Sequence, residues 1–220
     1  MRIILFSLMM LLLPLRLCAQ QLKETGSSVK DLVPEGWECT EANGDLNKDG
    51  ISDMAIIVTP NDTTHMKTRE DGYVYNYNQP TLAIYMGKHE GGYQLWKKYD
   101  DILPARPDEF TFMEHSLDIT DRGVLRIDVS EFHSAGGWTQ PSATYVVRFQ
   151  NGDFFLIGKD LNSFARNTGE AETISYNYLT RKCQHVTHNV MDDSVKPKEK
   201  WSKLPKEDLE RLGIPLSLGV

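Results

Sequence analysis

The chain has 220 residues, with 24 Lys and Arg against 31 Asp and Glu, for a formal net charge of −7. An acidic chain without a basic stripe is poorly suited to nucleic acid or an anionic membrane surface, whose phosphates demand clustered cations. Three cysteines are too few for a disulfide framework, and this length suffices for one domain with a sizeable core.

Residues 1–19 read as an export signal. Arg2 supplies the positive start, Ile3 to Leu15 is almost wholly apolar, and Leu17-Cys18-Ala19 resembles a cleavage site. Cleavage after Ala19 leaves Gln20 first and moves the net charge to −9, since 24 − 2 = 22 basic residues then face 31 acidic ones. The apolar run is short for a membrane span and no second one follows, so no transmembrane span is expected after cleavage. The expected location is the periplasm, the extracellular space or the cell surface. Lipidation at Cys18 is the alternative; Leu15-Arg16-Leu17 is a poor match to the small residues that such a signal places before its cysteine. Cys39 and Cys183 remain, either as a pair or as two separate thiols.

Residues 20–33 read as a leader with one helical turn at 28–32. Trp37 to Thr40 reads as a first strand, followed by a polar loop. Met54 to Thr59 is apolar and β-branched, the pattern of a buried strand. Residues 60–79 carry Asn61-Asp62 and Asp71-Gly72 turn signals and read as an exposed loop or ragged hairpin. Further strands are expected at 81–86, 93–96, 116–119 and 124–129, then a Gly-rich loop at 134–138. Thr144 to Gln150 and Asp153 to Ile157 flank Asn151-Gly152, the strongest local hairpin signal, because both turn residues need φ > 0. Residues 173–179 and 183–188 read as another hairpin. Residues 191–220 read as a Lys- and Pro-rich tail with a short helix at 206–212. The fold class is therefore all-β and antiparallel over 34–190: sheets or a meander with β-propeller-like blades, or alternatively a β-sandwich. Gly44 to Trp96 reads as one blade-like unit, whose open face the strands after Ser116 must cover.

The loop between the first two strands carries the chemistry. Asp45, Asn47, Asp49, Gly50, Ile51 and Asp53 spell D-x-N-x-D-G-x-x-D. Oxygens at alternate positions let a short loop wrap a hard cation, and oxygen-only ligands favour Ca2+. Asp45, Asn47 and Asp49 would give side-chain oxygens, Ile51 its carbonyl, and Asp53 would close the shell directly or through water. The alternative is a metal-free Asp/Asn/Gly turn. An EF-hand is excluded, because the position of its bidentate Glu is Ile56. A loop of this spelling that leads into a strand resembles the calcium loops of FG-GAP repeats, as in integrin-α-type propellers.

A wider resemblance follows from Val33-Pro34-Glu35-Gly36-Trp37, Gly44 to Gly50, Phe149 to Gly158 and Tyr176 to Thr180, in that order. Together they resemble an uncharacterised family of small exported proteins of Gram-negative bacteria. The resemblance implies β-rich structure and export, and supplies no catalytic residues. It departs after Thr180, where Arg181-Lys182 replaces the family's Gly.

Other constellations carry less. Cys183, His185 and His188 share a strand whose alternation puts His188 on the opposite face. His133-Ser134 lacks the strand-to-helix elbow of a nucleophile. Scattered carboxylates such as Glu170 and Glu172 leave a hydrolase as the alternative activity. The alternating Tyr73-Val74-Tyr75-Asn76-Tyr77 reads as a strand or a recognition loop for a protein or glycan. The expectation is a secreted, non-catalytic β-domain, an interaction or structural module, held in part by Ca2+.

Overall fold

Alternating side chains over most of the chain produce strands, and in the computed structural model residues 20–219 are described; the expected export signal at 1–19 lies outside the described residues. Strand β1 (Thr25–Gly26) and a single helical turn, α1 (Val29–Leu32), come first. They lead into β2 (Glu38–Gly44), β3 (Asp53–Thr59), the small strands β4 (Met66–Thr68) and β5 (Val74–Asn76), β6 (Thr81–Gly87) and β7 (Tyr93–Tyr99). The second half comprises β8 (Thr111–Ile119), β9 (Val124–His133), β10 (Thr139–Gln150), β11 (Asp153–Ala165), β12 (Glu170–Asn177), β13 (Lys182–Asn189) and β14 (Lys198–Lys203).

The chain is all-β and antiparallel. One sheet has the order β1-β7-β6-β3-β2; within it β2, β3, β6 and β7 form an up-and-down meander, with the β4–β5 hairpin inserted between β3 and β6. The other sheet is a seven-stranded meander from β8 to β14. The two face one another. Ala55, Ile57, Leu82 and Ile84 from the first sheet share a core with Leu125, Ile127, Tyr145, Val147 and Phe154 from the second. The reverse face of the first sheet is also covered: Met54, Ile56, Val58 and Tyr85 pack with Leu32, and Leu22, Val29 and Trp37 pack around them. Burial on both faces explains why β3 is a continuous apolar run rather than an alternating one. The expected leader is thus packed, with β1 paired to β7 and Leu32 fully buried.

The strands of the second half extend beyond their sequence signals. The β10–β11 hairpin turns at Asn151 (φ 51) and Gly152 (φ 76), as the Asn-Gly pair requires, but its ladder runs back to Thr139↔Ala165. Residues 191–219 also join the fold. β14 pairs with β13, and Leu212 and Leu216 are buried in the inter-sheet core. The helix expected at 206–212 does not form: residues 204–210 have no regular structure, and Arg211 makes an isolated antiparallel bridge to Phe155. Pro205 before it and Pro215 after it, with two leucines drawn into the core, favour an extended path. No described helix is long and apolar enough to cross a membrane.

Candidate functional site

Asp45 to Ser52 connects β2 to β3, and backbone donors close it tightly. Asp45 Oδ1 accepts the N–H of Lys48 (2.6 Å) and of Asp49 (3.2 Å), and its Oδ2 accepts that of Gly50 (2.9 Å). Asn47 Oδ1 also accepts from Asp49 N (3.0 Å), so the Asp45 and Asn47 oxygens converge on one donor. The Asn47 amide donates to Asp49 Oδ2 at 2.8 Å, while Asp49 Oδ1 accepts the Ile51 N–H at 2.8 Å. Both interactions hold the Asp49 carboxyl below the usual carboxylate range, the Asn47 amide foremost. Lys48 (φ 64) and Gly50 (φ 86) take left-handed backbone, which the glycine adopts without strain.

Asp53 has a different duty. It is fully buried at the start of β3. Its Oδ2 accepts the N–H groups of Leu46 (2.9 Å) and Asn47 (3.3 Å), and its Oδ1 accepts that of Gly87 (2.8 Å) at the end of β6. Burial raises its pKa against these three lowering interactions. Asp53 therefore ties the loop to the neighbouring strand. Leu46, 1 % exposed, plugs the loop into the core. Gly123, in the β8–β9 turn, presses on the loop's start: a Cβ there would lie 2.4 Å from the Asp45 carbonyl oxygen. The loop is thereby clamped between the two sheets.

Asp45, Asn47 and Asp49 thus come together on the accessible side of the loop, while Asp53 turns inward. Among the described residues no three of His, Cys, Asp or Glu gather as a metal centre would require. The oxygen-only chemistry suits a hard cation, and Asp45 Oδ2 and both Asp49 oxygens each accept a single hydrogen bond and so keep a lone pair, whereas Asp45 Oδ1 accepts two. The fit is best for the outer trio, because the Asp53 carboxylate is fully buried while the other three side chains reach the surface.

The remaining sequence candidates separate. Cys39 lies on β2 and Cys183 on β13, in different sheets, both as free thiols. His185 Nε2 lies 2.5 Å from Glu172 Oε1. His133 contacts Glu131, whereas the Ser134 hydroxyl donates to the Phe110 carbonyl (3.0 Å), so this His and Ser do not address each other. Glu170 and Glu172 line a cleft of about 520 Å³ with His188 and Lys198. Tyr75 is buried in the β4–β5 hairpin, while Tyr73 and Val74 are exposed. Arg106, which no sequence pattern singles out, lies 4.5 Å from the ring centres of both Tyr75 and Phe112. Comparison with family models, curated proteins and solved structures gives no match.

Proposed function

We propose that the protein is an exported, non-catalytic β-domain in which Ca2+ stiffens the 45–53 loop. The supporting observation is the convergence of Asp45, Asn47 and Asp49 on the loop's outer side, above a base fixed by Asp53. These three would hold the ion, with the Ile51 carbonyl and Asp53, directly or through water, as the remaining donors. The ion would supply charge neutralisation alone. Carboxylates crowded into one short loop repel, and a divalent cation turns that repulsion into a fixed bend between β2 and β3.

Affinity of about 10⁻⁴ to 10⁻³ M is sufficient for such a role outside the cytosol. Calcium in excess is expected to raise the melting temperature above its value in EDTA, and Asp49→Ala to abolish the difference. Identical melting of the unaltered protein in both conditions defeats the proposal. A second reading, a recognition module for a protein or glycan, draws on the exposed Phe110, Phe132 and Trp138. An isolated protein domain seldom leaves several large aromatic rings uncovered at one edge without a binding role.

A further inference from the structure

The outward face of the seven-stranded sheet holds a groove whose chemistry is narrower than that of an ordinary solvated sheet. Register places Ser130 of β9, Ser142 of β10, Asn162 of β11 and Thr173 of β12 in one row across four strands. Their neighbours Val129 and Ala143 point the other way, into the core. These four positions carry no charge, although charged residues make up 25% of the chain; the row meets its first charge at Glu114 of β8, beyond Ser130. It floors a groove of about 380 Å³, walled in part by Phe164 and Gln140. Thr173 Oγ1 donates to Asn162 Oδ1 at 2.9 Å, and the Asn162 NH2 has no acceptor among the described residues.

The next outward positions toward the Gly-rich loop are aromatic. Phe132 is 40% exposed and Trp138 63% exposed. Arg166 lies 4.7 Å from the Phe132 ring centre and 5.9 Å from that of Trp138. Its Nη2 donates to the His133 and Gly137 carbonyls, both at 2.8 Å. The guanidinium therefore fixes the loop that carries Trp138 and holds the indole as a stable plate. Two of the charges at the margin are already engaged, Arg166 through its Nη2 by these carbonyls and Glu172 by His185.

Neutral hydroxyl and amide groups along a floor, bordered by exposed aromatic plates, complement a molecule with hydroxyls on its rim and C–H groups on its faces. We infer that the groove binds a neutral oligosaccharide, Trp138 and Phe132 stacking on pyranose rings while Ser130, Ser142, Asn162 and Thr173 meet the hydroxyls. Four strands spaced about 4.8 Å apart make a floor roughly 14 Å across, long enough for a short oligosaccharide. The acidic chain disfavours an acidic polysaccharide in the same place. This inference rests on the recognition-module reading and is independent of the metal, which belongs to a loop of the other sheet.

The test is titration of the full chain, followed by indole and backbone NMR shifts, with cellohexaose, maltohexaose and chitohexaose; a heparin hexasaccharide is the acidic control. At least one neutral probe is expected to give saturable shifts at Trp138, Asn162 and Thr173. Trp138→Ala and Asn162→Ala are each expected to weaken that binding at least about tenfold, a loss of stacking or of a hydrogen bond. Trp201→Ala, at the far edge of the sheet, leaves it unchanged. Absence of shifts with all three neutral probes at millimolar concentration overturns the inference. So does binding that survives Trp138→Ala, or preference for heparin. Each titration is run in calcium and in EDTA: loss of sugar binding with the calcium-dependent melting shift intact removes this groove alone, and the converse removes the metal alone.

Discussion

Arg181 occupies the turn between β12 and β13 at φ 54, a conformation that costs a residue with a Cβ about 1–2 kcal/mol. The turn is otherwise well made: Asn177 Oδ1 accepts the Thr180 N–H at 2.9 Å, and the Arg181 carbonyl accepts from Leu204 N at 2.9 Å. Arg181→Gly keeps both backbone interactions and relieves the strain, partly offset by the greater freedom of glycine when unfolded. It is expected to stabilise the protein by about 0.5–1 kcal/mol, read as a higher denaturant midpoint with an unchanged slope. The turn itself was visible beforehand, as the gap between the strands expected at 173–179 and 183–188, which are β12 and β13. Much else at this scale was not. The alternate spacing of Asp45, Asn47 and Asp49 marks a run of oxygen donors, but the partner that gives Asp53 its duty, the Gly87 N–H, lies 34 positions away in sequence.

At the scale of elements, the β2–β3 loop is a joint rather than a flexible connection. Asp53→Ala leaves the Leu46, Asn47 and Gly87 N–H groups without their acceptor at a buried site. Unsatisfied buried donors cost about 1–3 kcal/mol each, and partial hydration brings the expected total to about 3–5 kcal/mol, measured by chemical denaturation. Asp49→Ala, on the exposed side, is expected to cost far less in the absence of calcium, which separates strut from ligand. Strand existence was legible wherever apolar residues alternate or run together. Strand length was not, because outward residues such as Gln140, Ser142 and Asn162 spell loop by composition, and Pro141 resembles a break, yet all of them lie in the β10–β11 ladder. The Asn151-Gly152 turn was legible because its backbone demand is local.

Across the whole molecule, closure of the core depends on the last residues. Leu212 and Leu216 are almost completely buried, the Leu212 N–H donates to the Phe154 carbonyl (2.9 Å), and that of Leu216 to the Ile102 carbonyl (2.6 Å). The Tyr145 hydroxyl donates to the Ser217 carbonyl. Leu216→Ala is expected to cost about 2–5 kcal/mol, the range for truncating a buried leucine, whereas Lys206→Ala, on the exposed approach, leaves the melting temperature unchanged. Composition concealed this role, since isolated leucines among lysines and prolines have no period to betray a buried face. The same segment supplies β14, the open border of the largest sheet, with all six of its residues exposed. An additional chain aligning there would bring its own Lys198, Lys200 and Lys203 up to the same three ammonium groups, with Glu199 the one opposing charge in each strand. Mutual repulsion thus makes β14 a terminus at which the seven-stranded sheet stops growing, so that copies of the protein resist fusing edge to edge into fibres.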